Sequence, residues 1–427
     1  MHKPTYTSYA GYSGAMTYIA LAFLLVYLRI SGSLSDIGDS IIFSMAALAF
    51  GIMLLSEYWQ KRRFNIRNQI TVTYRALSPS TLYLLRSVFF RFLALFIPFL
   101  LAWFTIENHT YFTGNDAFDP TRRFFDYLLW IFIVLAPPYL FLTLKFRGDH
   151  RYELNDYAIL TLIGVRSVWD VAVRRKRDRR LYRNRRVKKV FLVYLVNFFW
   201  LTLMARFFVG EFHNFSESTG KLMLGEEKSL PWFGQVRLWY NTLFHLLFIV
   251  DVGIALIGYT FASRWLDNRT RSVDRTPLGW FVALACYPPF NSFISDNFVY
   301  YNGLDTHDIF TSDVAITVIL ALLIVLYTLY VWATVALGFK FSNLTNRGIV
   351  SSGPYRYVRH PAYAAKNIAW LIDYTYVYTN IWATLAFFTW NGFYIIRALT
   401  EERHLGHDPA YRAYAKQVKY RFIPGVL

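Results

Sequence analysis

Long apolar runs separated by charged loops are the feature that most restricts the fold of this chain. Each run holds about 20 residues, the length that a helix needs to cross a hydrocarbon core of about 30 Å. Hydrophobic residues make up 55% of the 427 residues, and charged residues only 17%. The runs lack the alternation that is typical of barrel strands. The sequence therefore predicts an all-α, polytopic integral membrane helical bundle.

Ten apolar runs predict about ten transmembrane helices. The first run lacks the basic segment and the cleavage site of a signal peptide, so we expect it to be retained. A very short turn near Thr379-Asn380 separates the last two runs, which predicts an antiparallel C-terminal hairpin. The ten runs are centred on residues 8–29, 38–58, 82–106, 125–145, 190–208, 239–262, 278–296, 314–339, 361–378 and 381–398.

Lys and Arg are concentrated in alternate loops. The basic loops follow the second, fourth, sixth and eighth runs, and they include Lys61, Arg174, Arg271 and Lys340. The loops after the fifth and seventh runs are acidic and include Glu226 and Asp305. Because cytoplasmic loops carry an excess of Lys and Arg, this alternation predicts a multi-pass protein with both termini in the cytoplasm. We expect it in a bacterial inner membrane.

The segment Arg174–Lys189 contains eleven basic residues and one Asp. We interpret it first as a topology signal on an inner loop. Contact with anionic headgroups of the membrane lipids is expected as a by-product. Nucleic acid is not expected as a partner, because no stacking platform or recognised module accompanies the charge.

Two residues inside apolar runs have their own chemistry. The single cysteine, Cys286, excludes an internal disulfide and a cysteine-rich metal site, so no metal centre is predicted. Asp251 lies midway through the sixth run, where an acid is a functional candidate by default. A hydrogen bond to a neighbouring helix is the alternative, and the sequence leaves both open.

The stretch that begins at Arg347 reads RGIVSSGPYRYVRHPAYAAKNIAW. Gly353-Pro354 is a turn signal, and Pro361 suits the first turn of a new helix. Helical spacing places five residues on one face of that helix: Arg359, Tyr363, Lys366, Asn367 and Trp370. A polar stripe in a membrane helix should face protein or a water-filled pocket.

The last run ends in charged residues that should lie near this stripe. Arg397 and Glu401 are four residues apart and can pair on a helix. Together with Arg359, His360 and Glu402 they should converge at one membrane face. The tail then predicts a short interfacial helix that could cover the pocket, capped by Asp408 and ended by Pro424-Gly425.

The ordered pattern GPYRYVRHPAY, a hairpin, TEE and a Tyr-rich tail ending in IPG resembles the isoprenylcysteine carboxyl methyltransferase and phospholipid methyltransferase superfamily. The resemblance covers roughly Gly338 to Leu427. It implies a small helical membrane bundle that binds S-adenosylmethionine at the mouth of its terminal hairpin. It also implies cofactor contacts by Tyr355, Val358, Arg359, His360, Pro361, Tyr363 and Glu402, with Glu401 at the reaction centre.

The chemistry of these residues is compatible with that cofactor. S-adenosylmethionine has a sulfonium, a carboxylate, an amine and a ribose diol, so a site with both signs of charge suits it. Arg359 or His360 would bind the carboxylate, and a glutamate would bind the amine or the ribose. Methyl transfer depends on positioning and desolvation rather than on a metal. Arg397 could orient an anionic acceptor through bidentate hydrogen bonds.

Several readings of function and organisation remain open. The expected acceptor is a lipidic or membrane-partitioning molecule. A prenylated cysteine carboxylate, a lipid amine, a lipid phosphate and a small thiol are all chemically admissible. The tail VKYRFIPGVL also resembles membrane sterol reductases, so an NADPH-dependent reductase is the alternative function. A non-catalytic scaffold or transporter is a third.

The chain is predicted to have two regions. Residues 1–210 are predicted as an N-terminal membrane region of unknown role, and residues 211–427 as the region that contains the methyltransferase-like core, 338–427. The sequence does not indicate an oligomeric state.

Overall fold

The structure is a computed structural model that describes residues 8–63, 81–147, 157–172, 185–263, 266–299, 309–310 and 312–426. Most of these residues are helical. Twelve helices of eight or more residues lie in the described parts: α1 Ala10–Ile30, α2 Asp39–Arg63, α3 Thr81–Asn108, α4 Asp119–Arg147, α5 Tyr157–Ala172, α6 Arg185–Met223, α7 Trp232–Thr260, α8 Pro277–Leu284, α9 Asp313–Leu337, α10 Pro361–Asp373, α11 Ile381–Leu405 and α12 Pro409–Gln417.

Shorter elements connect these helices. They are Thr110–Thr113, Asp116–Phe118, Glu226–Ser229, Ser292–Ile294, Ser295–Val299, Gly338–Lys340, Gly353–Arg356 and Thr375–Thr379. Two strands, β1 Ser272–Val273 and β2 Thr345–Asn346, pair antiparallel with Ser272 opposite Asn346. This pairing ties the loop after α7 to the loop after α9, and the loop after α9 contributes to the site described below.

Seven helices are long and apolar enough to cross a membrane, among the residues that the structure describes. They are Ala10–Ile30, Asp39–Lys61, Thr81–Asn108, Asp116–Lys145, Val187–Met223, Trp232–Thr260 and Asp313–Lys340. They correspond to the first six predicted spans and to the eighth. A multi-pass membrane protein built from helices is therefore indicated, whereas the count of ten stays a prediction.

The other three predicted spans have a different form. In the seventh, α8 ends at Leu284, and only short helical segments follow Pro288-Pro289, since proline lacks the backbone donor that a helix needs. In the ninth, α10 has 13 residues, about 20 Å of helix, and continues as the turn Thr375–Thr379. The tenth corresponds to α11, whose 25 residues include the charged end.

The chain divides into two compact units, of which residues 58–206 form one. Within that unit α3 packs against α4 and α5. Phe132 of α4 lies against Phe92, Phe96 and Phe99 of α3, with ring centroids 5.5 to 6.0 Å apart. Thr121 Oγ1 donates to the Thr202 carbonyl at 2.8 Å. The predicted division of roles at residue 210 stays a prediction.

The other unit consists of residues 1–57 and 207–427 and contains the site. Helix α9 lies at its centre and packs against α7 and α10. Close approach of α1 depends on glycine: a Cβ at Gly253 of α7 would lie 2.6 Å from the Tyr18 ring. Likewise, a Cβ at Gly11 would lie 1.9 Å from the Val335 carbonyl oxygen. These contacts fix the helices that carry the cleft.

Candidate functional site

A cleft opens where α9, α10 and α11 meet the loops that follow α8 and α9. It encloses about 680 Å³, including open solvent at its mouth. Six of the nine predicted site residues line it: Tyr355, Arg359, His360, Tyr363, Arg397 and Glu401. Of the five residues that the sequence predicted to converge, all but Glu402 thus line one cavity.

The loop that carries Arg359 and His360 is held by its turn and by the tail. Gly353 has a φ of +61°, a conformation that favours glycine, and a Cβ there would lie 3.0 Å from Ala336 Cβ. The backbone N–H groups of Arg359 and His360 donate to the carbonyls of Tyr420 and Arg421, at 3.0 and 2.8 Å. The tail therefore holds this loop in place through backbone pairing.

Glu402 contacts three basic side chains at once, two arginines and a histidine. Its Oε1 lies 3.1 Å from Arg359 Nε and 3.2 Å from His360 Nε2, and its Oε2 accepts from Arg421 Nε at 3.1 Å. The side chain is 12% exposed. Burial alone would raise the pKa of Glu402, but the hydrogen bond and charge of His360, with the two arginines, outweigh burial and lower it.

This arrangement predicts a pH-dependent contribution to stability. A carboxyl whose folded-state pKa is lowered stabilises the fold above its unfolded pKa of about 4.3, and the contribution is lost as pH falls through the folded pKa. We expect wild type to melt above Glu402→Gln at pH 5 and above. Below about pH 4 the margin should shrink. Thermal unfolding in detergent across this range measures it, and a margin independent of pH contradicts the ionised state of Glu402.

Arg397 and Glu401 face the cleft from neighbouring turns of α11, but each has a different partner from the predicted one. Arg397 Nη2 donates to Asn343 Oδ1, and its guanidinium lies between the rings of Tyr287 and Tyr363, 5.3 Å from each centroid. Glu401 Oε2 accepts from the Tyr363 hydroxyl at 2.9 Å. Tertiary contacts thus replace the local pairing expected from their spacing.

Lys366 extends the polar stripe to the inner end of the cleft. Its Nζ lies 5.1 Å from the Tyr330 ring centroid and 4.8 Å from that of Trp370. Tyr330 in turn donates its hydroxyl to Asp251 Oδ2 at 2.8 Å, and Thr334 donates to Asp251 Oδ1. Asp251 therefore makes hydrogen bonds to a neighbouring helix, one of the two roles that the sequence left open. Through them it fixes two residues that line the cleft.

Three of the predicted cofactor residues do not line the cleft. Val358 is buried beneath the loop, and Pro361 is buried at the first position of α10, where it starts the helix. Glu402 lies behind Arg359 and His360, which it binds. We interpret all three as residues that shape the site.

The sequence reasoning missed other residues at this site. Asn343 and Tyr287 come from loops, and no periodic pattern marks them. Arg421 and Phe422 of the tail approach the site through Glu402 and the His360 ring, whose centroid is 5.7 Å from that of Phe422. The arginine and aromatic residue in the tail motif YRFIPG were the only sequence signal for this contact.

The tail helix is present but shorter than predicted. Helix α12 ends at Gln417, seven residues before Pro424. The predicted cap is observed, since Asp408 Oδ1 accepts from the Ala410 N–H at 2.9 Å. Tyr411, Tyr414 and Val418 pack against Ile349, Tyr355 and Leu405, and Tyr414 donates to the Tyr355 carbonyl at 2.8 Å. The helix therefore packs on the loop that carries the site.

Residues 318–407 match the model of the isoprenylcysteine carboxyl methyltransferase (ICMT) family. The matched segment holds Tyr355, Arg359, His360, Tyr363, Arg397 and Glu401, which confirms the resemblance for this part of the chain. It supports a membrane methyltransferase and gives no support to the sterol reductase alternative. No curated protein and no solved structure matches the chain.

Proposed function

We propose that this chain transfers a methyl group from S-adenosylmethionine to a lipidic or membrane-partitioning acceptor. One observation carries the proposal: the segment similar to the methyltransferase family supplies nearly all the residues that line one cleft in a helical membrane protein. The cleft brings together side chains of both charges, Arg359 and Glu401 among them. Such a combination is suited to a ligand that has a carboxylate, an amine and a sulfonium.

The residues present fit the proposed cofactor. Arg359 and His360 lie at the mouth, where an arginine can bind a carboxylate with charge-assisted hydrogen bonds. Glu401 can accept from an amine or a ribose hydroxyl, because a carboxylate has several acceptor sites and the Tyr363 hydroxyl occupies one of them on Oε2. The aromatic rings of Tyr287, Tyr355 and Tyr394 offer apolar surface for an adenine and π faces for a sulfonium.

When bound, S-adenosylmethionine supplies an electrophilic methyl group on a sulfonium sulfur. The chain provides position and a dry environment for its displacement. Glu402 keeps Arg359 and His360 in place through contacts of 3.1 and 3.2 Å. Arg397, held between two tyrosine rings, orients an oxygen of the acceptor. The tail and α12 hold the loop that carries Arg359 and His360.

We further propose that the site faces the cytoplasm of a bacterial cell, with both termini on that side. The alternation of basic and acidic loops supports this orientation. S-adenosylmethionine is made in the cytoplasm, whereas a lipidic acceptor reaches the site from the bilayer. The acceptor remains one of the lipidic classes named above.

Label transfer tests the proposal. Membranes that contain the protein are incubated with S-[methyl-³H]adenosylmethionine and extracted with organic solvent. We expect label in the lipid fraction, and in a deletion strain we expect a lipid species lighter by one methylene. Membranes with His360→Ala serve as the matched sample and should lose most of the label. Equal labelling with and without the protein would reject the function.

A further inference from the structure

A second cavity lies on the other side of the residues that close the cleft. It encloses about 370 Å³, including open solvent. Four residues line both cavities: Asn343, Tyr363, Arg397 and Glu401. The two spaces therefore meet at these side chains, which we call the partition.

The far wall of the second cavity comes from outside the segment similar to the family. Asp274, Gly279 and Ala283 line it, and they precede residue 318. Asp274 is held firmly: its Oδ1 accepts from the Thr276 N–H at 2.9 Å, and its Oδ2 lies 3.3 Å from Arg403 Nη2. A Cβ at Gly279 would lie 2.1 Å from Asp274 Oδ2, so glycine makes room for this carboxylate.

The near wall is one face of α11. Arg397, Thr400, Glu401 and His404 line the cavity at helical spacings of three and four. A guanidinium has five N–H donors, and the contact of Arg397 with Asn343 uses one of them. The cavity can therefore accept an oxygen-bearing polar group at the partition.

Apolar side chains are exposed on the same two helices. Leu278 and Phe281 of α8 are 48% and 59% exposed, and Ile396 and Leu399 of α11 are 39% and 43% exposed. A polar cavity next to exposed apolar surface suits an amphiphile better than a water-soluble ligand. Methyl transfer also requires that acceptor and leaving group lie on opposite sides of the methyl carbon, which two cavities with a shared partition can provide.

We infer that the second cavity binds the oxygen-bearing polar head of the amphiphilic acceptor, while the first cleft binds the methyl donor. This inference rests on the proposed function and adds a separate acceptor subsite to it. The Asp274–Ala283 segment then sets the size of the head group. The acceptor chain lies along the apolar surface of α8 and α11.

A matched pair of variants, in each of which an alanine is replaced by methionine, tests the assignment. Ala283→Met reduces the second cavity and Ala362→Met reduces the first cleft, which Ala362 lines. Donor binding is measured by calorimetry with S-adenosylmethionine. Acceptor use is measured as an apparent KM for total lipid extract of the source cells, diluted in detergent micelles, with the tritiated donor. Thr345→Met, at a half-buried position of the second cavity, is a second variant for the case that Ala283→Met does not fold.

We expect Ala283→Met or Thr345→Met to raise the apparent KM for lipid about tenfold and to change the donor Kd by less than about twofold. Ala362→Met should give the reverse result. If both cavity variants leave the KM for lipid unchanged, or if they weaken donor binding as Ala362→Met does, the subsite is rejected. Loss of the proposed function is a distinct result, since wild type would then neither bind the donor nor label any lipid.

Discussion

Arg397→Met is expected to lower kcat for methyl transfer by about 10²- to 10³-fold, the usual cost of removing one positioned electrostatic group from a reaction centre. The guanidinium lies between Tyr287 and Tyr363 and bonds to Asn343, so its position does not depend on the ligand. The donor Kd should change by less than about threefold, because Arg359 and His360 remain. Single-turnover label transfer and calorimetry measure the two quantities separately.

Arg237→Met is the matched control for this substitution. Arg237 is exposed near the start of α7, and its guanidinium lies 5.7 Å from the Phe233 ring centroid. The same change of side chain there should leave kcat within about twofold of wild type, as is usual for surface substitutions. An Arg397→Met protein with full kcat, or one that loses donor affinity and kcat together, would show that Arg397 does not act on the acceptor.

Glu402→Gln is expected to weaken donor binding by about 10- to 100-fold, because it removes the carboxylate that Arg359, His360 and Arg421 share. Breaking a buried ion pair costs about 3–5 kcal/mol. Part of this free energy is lost from donor binding, because the same contacts hold Arg359 and His360 in the position that binds the donor. Arg421→Met should reproduce the loss in smaller measure. In the double variant Glu402→Gln/Arg421→Met, the fold-loss in donor affinity should be smaller than the product of the two single fold-losses, since both substitutions act through one contact. Calorimetry with S-adenosylmethionine measures all three.

The control is Glu217→Gln, which removes an exposed carboxylate 2.6 Å from Lys221 on α6. Exposed pairs contribute little, so donor affinity and folding should both stay near wild type. For Glu402→Gln, the donor affinity should fall more than the amount of folded protein. Comparable losses of both would mean that Glu402 supports the fold in general rather than the donor site.

Local patterns were sufficient to predict the helices and one wall of the site. Helical spacing of three and four placed Tyr363 and Lys366 on one face, and both line the cleft. Seven of the ten predicted runs coincide with helices long and apolar enough to cross a membrane, although the helix of the fifth run continues to Met223, beyond its predicted end at residue 208. The turn before α11 was also predicted, and Asn380 caps that helix through the Trp382 N–H at 2.8 Å.

Contacts between distant segments could not be predicted in this way. The expected pairing of Arg397 with Glu401 is replaced by Asn343, which is 54 residues away, and by Tyr363. The shared contact of Glu402 with Arg421 depends on a tail that pairs with the backbone of residues 359 and 360. Asp251 was visible as an intramembrane acid, but its partners Tyr330 and Thr334 come from a different helix. Such partners depend on how helices pack, which spacing along one helix does not specify.

Calorimetric titration of the full chain in detergent, with S-adenosylmethionine, its demethylated product and NADPH as separate ligands, tests the central claim most directly. The cleft of Arg359, His360, Tyr363, Arg397 and Glu401 predicts saturable binding of the first two and none of NADPH. Binding of NADPH without binding of S-adenosylmethionine would contradict it.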